Sequence, residues 1–207
     1  MRFVVPDLIG PNAHPKAIRR AVAQRQQAME QAWRDHNERI RPLLLPSLQR
    51  LQDTFIHDAR IRSLRIDAGQ KTLQLCLFCY DTPGCFDLTL DYKDVQLTDQ
   101  ETSLLCFIAH EDAEIYWGEI DLDEGGGSAP FIHRILWQTG IPIGREPAVG
   151  EWQTLYTLEP EIELHFGGFE IAITANPGNQ LTRGEDFITV VRSADKIGRL
   201  HPPSLRL

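Results

Sequence analysis

The hydropathy pattern of the chain changes from a helical period to a strand period near residue 54. Between Pro15 and Pro42, apolar or long amphipathic side chains recur every three or four residues, which is the spacing of one helix face. Pro15 suits the first turn of a helix and Pro42 stops it. The pattern predicts a long N-terminal helix, packed on a sheet or against a second copy of the chain as a homodimer. Its stripe consists of Ile18, Val22, Arg25, Met29, Trp33, His36 and Ile40.

Beyond residue 54, alternation of apolar and polar residues predicts a series of short strands. Two of them flank the turn Asp81–Gly84 and form a hairpin. The run Leu104–Ala109 is apolar on both faces, as a central buried strand would be. The apolar frame slips at Gly118 and at Gly167–Gly168, which predicts a β-bulge or bend at each place. Gly140–Gly150 has the composition of a mobile loop, and about nine strands are expected in all.

These elements predict an α+β fold, in which the long N-terminal helix packs on a mainly antiparallel β-sandwich or partly open β-barrel. We expect an N-terminal arm and helical segment at residues 1–53, an antiparallel β-domain at 54–195 and a loosely packed tail at 196–207. No apolar run reaches the ~7–15 residues of a signal peptide or the ~18 residues of a membrane span. A cytoplasmic protein that does not bind membranes is therefore expected.

Charge is distributed unevenly along the chain. Residues 1–53 carry nine Lys and Arg against five Asp and Glu, whereas residues 54–207 carry twelve against twenty-four. Between Lys93 and Arg134 there is no basic residue, but there are ten acidic ones. Such a surface repels phosphate, so nucleic acid is not an expected partner, and a basic protein is. Self-repulsion of this kind costs stability, which suggests that a function maintains it.

Sequence motifs for catalysis or cofactor binding are weak. Gly125–Ser128 lacks the Gly-Lys-Ser/Thr of a phosphate-binding loop, and no Gly-x-Ser-x-Gly elbow occurs. We therefore predict neither an enzyme nor a cofactor or metal site. One alternative stays open at this stage, a small-ligand or metal-binding barrel or enzyme that uses interior histidines. The candidates for that site are His57, His110, His133 and His165.

The acidic segment Glu111–Glu124 is the strongest candidate for a binding site. Glu119, Asp121 and Asp123 alternate, so on a strand all three project from one face. Aromatic side chains lie beside them, and a recognition surface combines aromatic anchors with charges that steer the partner. The predicted partner-binding residues are Glu111, Asp112, Glu114, Tyr116, Trp117, Glu119, Asp121, Asp123 and Glu124.

A series of short motifs within residues 54–175 resembles, in order, a largely uncharacterised bacterial family of proteins with a helix and a β-domain. Relatives of similar style are immunity proteins of polymorphic toxin or contact-dependent secretion systems. The resemblance implies a non-enzymatic cytoplasmic protein that binds and blocks a toxin domain, and it implies structural roles for His57 and Asp58. The motifs are Phe55–Ile61, Leu64–Ile66, Leu90–Val95, Tyr116–Ile120, His133–Leu136 and Glu161–Ile171.

Overall fold

The computed structural model describes residues 15–81, 84–125, 129–138 and 158–191. The chain divides into two compact units, Met1–Leu44 and Leu45–Leu207. The first unit contains α1 (Pro15–Ile40), which is followed by a 3-10 turn at Arg41–Leu43. The expected packing of this helix on the β-domain, and a homodimer formed through it, stay predictions.

The described part of the second unit contains two further helices and a mainly antiparallel sheet, so the chain has the expected α+β character. Within the described ranges, eight strands form this sheet, in the order β6-β5-β4-β1-β2-β3-β7 with β8 added beside β1. The elements are α2 (Pro46–Gln52), β1 (Arg60–Asp67), β2 (Thr72–Asp81), β3 (Gly84–Lys93), α3 (Asp99–His110), β4 (Glu114–Leu122), β5 (Phe131–Gln138), β6 (Leu158–Phe166), β7 (Gly168–Ala175) and β8 (Ile188–Val191).

Several expectations fall wholly or largely on residues outside the described ranges. These are the N-terminal arm, the loop Gly140–Gly150, the tail at 196–207 and the strand expected at Trp152–Leu158. Of that strand only Leu158 is described, and it is the first residue of β6. The hairpin expected around Asp81–Gly84 is confirmed, since β2 and β3 pair antiparallel from Thr72 opposite Lys93 to Asp81 opposite Gly84.

Strand β1 lies at the centre of the sheet and changes neighbours along its length. One edge pairs antiparallel with β2 throughout. The other edge pairs with β4 at Arg60 and Glu114, and then with β8 in parallel from Leu64 to Asp67. The start of β4 is therefore held beside the start of β1, and β8 takes its place farther along.

The two strands at the ends of the sheet path, β6 and β7, are consecutive in the chain. Only Gly167 separates them, and its backbone N–H donates to the carbonyl oxygen of Lys93 at 2.9 Å. This break confirms the interruption expected at Gly167–Gly168. A residue without a side chain suits a point where one strand stops pairing with β5 and the next starts pairing with β3.

Most of the buried apolar side chains lie on one face of the strands, because alternate side chains point to the same side. On β2 this face carries Leu73, Leu75 and Leu77, all fully buried. Equivalent positions on β3, β5 and β6 carry Leu88, Leu90, Tyr92, His133, Ile135, Ile162, Leu164 and Phe166. Burial of this apolar area from water is the main term that stabilises the unit.

The strand predicted at Leu104–Ala109 is wrong, because these residues belong to helix α3. Thr98 caps the helix: its side chain accepts a hydrogen bond from the Glu101 N–H at 3.2 Å, and the Glu101 carboxylate accepts one from the Thr98 N–H at 2.7 Å. This capping box stabilises the start of a helix, and Thr98-x-x-Glu101 is its signature in the sequence. The buried residues of α3 fall on one helix face, at Thr102, Leu105, Ile108 and Ala109.

The frame slip in β4 exists, but it occurs at Tyr116 rather than at Gly118. Ile115 lies opposite Trp137 and Trp117 lies opposite Leu136, so Tyr116 is the extra residue. Gly118 is small for a different reason. A Cβ atom there would approach Ile56 Cδ1 to 2.9 Å and His133 Nε2 to 3.4 Å.

Candidate functional site

The bulge in β4 divides the acidic segment Glu111–Glu124 into two parts with different surroundings. Strand β4 pairs with β5 on both sides of the bulge, and before the bulge Glu114 also pairs with Arg60 at the start of β1. The nine residues predicted to bind a partner therefore do not form one continuous acidic face. Four of the nine form ion pairs with arginines, in two separate clusters.

The first cluster neutralises Asp112 and Glu114. Arg60 donates from Nε to Glu114 Oε1 at 2.8 Å and from Nη1 to Asp112 Oδ2 at 3.3 Å. Arg183, far away in sequence, also pairs with Asp112 and holds the backbone through a 2.9 Å hydrogen bond from Nε to the Ile61 carbonyl oxygen. Two carboxylates and two guanidinium groups thus balance in charge at this place.

The second cluster surrounds Arg134 on β5. Its Nε donates to Glu163 Oε2 at 2.6 Å, and its Nη1 donates to Asp121 Oδ2 at 2.9 Å and to Glu119 Oε1 at 3.3 Å. Strand register brings these side chains together, since Glu119 on β4 lies opposite Arg134 and Arg134 lies opposite Glu163 on β6. The Glu119 side chain is fully buried and that of Asp121 is 6% exposed. These two carboxylates therefore cannot be the steering charges of an exposed surface.

His165 and Asp123 extend the second cluster toward solvent. His165 Nε2 lies 2.7 Å from Glu163 Oε1, and its Nδ1 lies 3.8 Å from Asp123 Oδ2. Burial of Glu163 opposes its ionisation, but the hydrogen bonds from Arg134 and His165 outweigh it and lower the pKa of this carboxyl. Arg134 therefore faces an ionised carboxylate, that of Glu163, on β6.

Other members of the predicted site are accessible. Glu111 at the end of α3 and Glu124 after β4 are exposed, and Asp123 is partly exposed. Tyr116 and Trp117 are half-buried. The accessible part of the acidic segment thus lies at its two ends and at the bulge.

An aromatic strip at the bulge joins the predicted anchor Tyr116 to Phe55 and His57, which were not predicted to bind a partner. The rings of Phe55, His57 and Tyr116 follow one another, with centroid distances of 6.0 Å and 5.5 Å. Phe55 is 58% exposed, which is unusual for so large an apolar side chain. The sequence signal for this strip is that Phe55 lies two residues before the His57-Asp58 pair, to which the resemblance assigns a structural role.

The histidines of the alternative site occupy separate environments. His57 belongs to the aromatic strip, and His110 is exposed at the end of α3. His133 is buried, and a 2.8 Å hydrogen bond joins its Nδ1 to the Tyr92 hydroxyl. Burial lowers the pKa of His133 to about 3 and raises that of Tyr92. Within the described ranges, no three His, Cys, Asp or Glu side chains are arranged to hold a metal ion.

A groove of about 440 Å³ lies beside the start of α3. Of the four candidate histidines only His165 lines it, so it does not join two of them. Its rim combines apolar and charged side chains, including Ile66, Lys71, Glu101 and Val190. The groove therefore has no feature that selects one class of ligand.

Comparison with known proteins gave no match to a family model, to a curated protein or to a solved structure. Among the described residues, no helix is both long enough and apolar enough to cross a membrane.

Proposed function

We propose that this chain is a non-enzymatic interaction protein, which binds a basic protein partner through an acidic surface and blocks it. The observation that supports this most strongly is the segment between Lys93 and Arg134, where ten acidic residues occur without a basic one. Exposed carboxylates at Glu111 and Glu124 keep part of this charge accessible. Charges of one sign steer an oppositely charged partner and raise its association rate.

The proposal gives the predicted binding residues different roles. Glu111, Asp123 and Glu124 supply the accessible charge, and Tyr116 supplies an aromatic anchor. Glu119 and Asp121 hold Arg134 and so support the strand from within. Asp112 and Glu114 contribute little net charge, because arginines pair with them.

The partner is proposed to be a toxin domain, and the protein an immunity protein of the cytoplasm. This step rests on the order of the motifs between residues 54 and 175, which resembles that of immunity proteins. We also propose that the sheet curls into a partly open barrel. The support is that its end strands β6 and β7 are continuous through Gly167, whose N–H bonds to Lys93.

A pull-down from lysate of the native organism tests the proposal. The bait is the wild-type protein, the variant Glu111→Lys/Glu124→Lys, or the control Glu185→Lys/Asp186→Lys, which reverses two exposed charges before β8. A basic protein should elute from wild type and control as salt rises and should be lost from the first variant. Equal retention by all three baits would contradict an acidic recognition surface. An empty pull-down with a small molecule bound to the bait would favour a ligand-binding protein.

A further inference from the structure

We propose that the aromatic strip Phe55–His57–Tyr116, together with the Asp58 carboxylate, is the place where an arginine side chain of the basic partner binds. This inference rests on the proposed function and deepens it by naming the anchor. Aromatic faces carry negative potential and attract a guanidinium group, and an adjacent carboxylate adds a charge-assisted hydrogen bond.

The strip is held in place from below by the backbone. The Asp58 N–H donates to the Ile115 carbonyl oxygen at 2.8 Å, and the Ile115 N–H donates to the Ala59 carbonyl oxygen at 2.9 Å. Ala59 is fully buried. The exposed rings therefore lie on a segment that is hydrogen-bonded to β4. Binding should cost little conformational entropy, because the backbone of this segment is already ordered.

Asp58 fixes the middle ring of the strip. His57 Nδ1 lies 2.7 Å from Asp58 Oδ1, and the Asp58 side chain is still 52% exposed. Its backbone adopts a φ of 62°, a conformation that Asp tolerates better than most residues. The carboxylate thus orients the imidazole and keeps lone pairs open to solvent.

Charge complementarity selects a cationic occupant. On the neighbouring backbone, Arg60 and Arg183 pair with Asp112 and Glu114, and the half-exposed Asp58 carboxylate adds a negative charge beside the rings. Arginine suits the strip better than lysine, because its planar guanidinium can stack on a ring while it bonds to a carboxylate.

The test is a titration of the ¹⁵N-labelled 207-residue protein with acetyl-triarginine-amide, followed by amide chemical shifts. Acetyl-trilysine-amide and acetyl-triglutamate-amide are the control peptides. Triarginine should shift the amides of residues 55–58 and 115–117, trilysine less, and triglutamate not at all. Phe55→Leu keeps an apolar side chain without a π face and should weaken triarginine binding roughly two- to fivefold. Asp58→Asn should also weaken it, whereas Asp186→Asn, which removes an exposed carboxylate before β8, should not.

Two outcomes overturn the proposal and are distinguishable. Shifts confined to Glu111 and Glu124, unaffected by Phe55→Leu, would disprove the strip and leave an acidic recognition surface standing. No selectivity for triarginine over triglutamate anywhere on the protein would contradict both.

Discussion

At the scale of single residues, the described part of the chain buries charge around Arg134. One guanidinium group holds Glu119 and Asp121, which are removed from solvent, and Glu163, which is partly exposed. A buried ion pair adds little net stability compared with apolar packing, but a buried charge that loses its partner is costly. Removal of Arg134 should therefore destabilise the fold, because Glu119 and Asp121 would lose this guanidinium group as a partner.

Replacement of Arg134 by Met should lower the free energy of unfolding by about 3–5 kcal/mol, because two carboxylates lose their buried counter-ion. Urea denaturation measures the change. Lys93→Met is the matched control, since it breaks an exposed pair with Glu170 and should lower the free energy of unfolding far less than Arg134→Met does. Adding Glu119→Gln and Asp121→Asn to Arg134→Met should recover part of the loss. Equal losses at Arg134 and Lys93 would show that the network is not buried in solution.

His133 should make stability depend on pH. Burial lowers its pKa from 6.5 to about 3, so between these values the unfolded chain binds a proton that the folded chain does not. Stability is therefore lost as the pH falls through this window. The pKa of Glu163 in the folded chain lies below its ordinary value of 4.5, because Arg134 and His165 bond to its carboxylate. Glu163 therefore stays largely ionised in the folded chain between pH 7 and pH 5.

The variant His133→Gln, which cannot titrate, should lose about 2 kcal/mol less free energy of unfolding than wild type when the pH falls from 7 to 5. Urea denaturation at both values measures this. The same replacement at exposed His110 controls for the loss of an imidazole. An identical pH dependence in wild type and His133→Gln would mean that His133 takes up a proton in the folded state.

At the scale of elements, helix α3 shows how a cap can outweigh an ambiguous apolar run. Six consecutive apolar residues fit a buried strand as well as a helix segment, because period cannot be read from so short a run. The reciprocal bonds between Thr98 and Glu101 start a helix there, and its buried face then covers β1.

Thr98→Ala should cost about 1 kcal/mol of the free energy of unfolding, since it removes the acceptor for the Glu101 N–H. Ser103→Ala is the control on the same helix: its hydroxyl bonds only to the Asp99 carbonyl oxygen, and Ala is the better helix former. Equilibrium unfolding in urea compares the two. If Thr98→Ala were as stable as Ser103→Ala, the capping box would not stabilise α3.

At the scale of the whole molecule, the acidic segment is compensated from a distance. No basic residue lies within it, yet Arg60, Arg134 and Arg183 reach Asp112, Glu114, Glu119 and Asp121 from strands and turns elsewhere in the chain. The charge of this segment is thus accessible at fewer groups than the sequence suggests. A partner would be steered by the exposed ends of the segment and anchored at the bulge between them.

Local patterns were sufficient for the features that depend on neighbours in sequence. Alternation predicted the β2–β3 hairpin, and paired glycines indicated the break between β6 and β7. Alternation also predicted a slip in β4, but at Gly118 rather than at Tyr116, where it occurs. Each depends on side-chain period or backbone freedom over a few residues, which the order of residues contains.

Pairing between distant strands decided the rest. Which carboxylates meet an arginine depends on register, since a shift of one residue turns every side chain of a strand to the other face. The burial of Glu119, the exposure of Phe55 beside Tyr116 and the separation of the histidines all follow from contacts between segments far apart in the chain. Period and composition cannot encode such contacts, because they describe each segment without its neighbours in space.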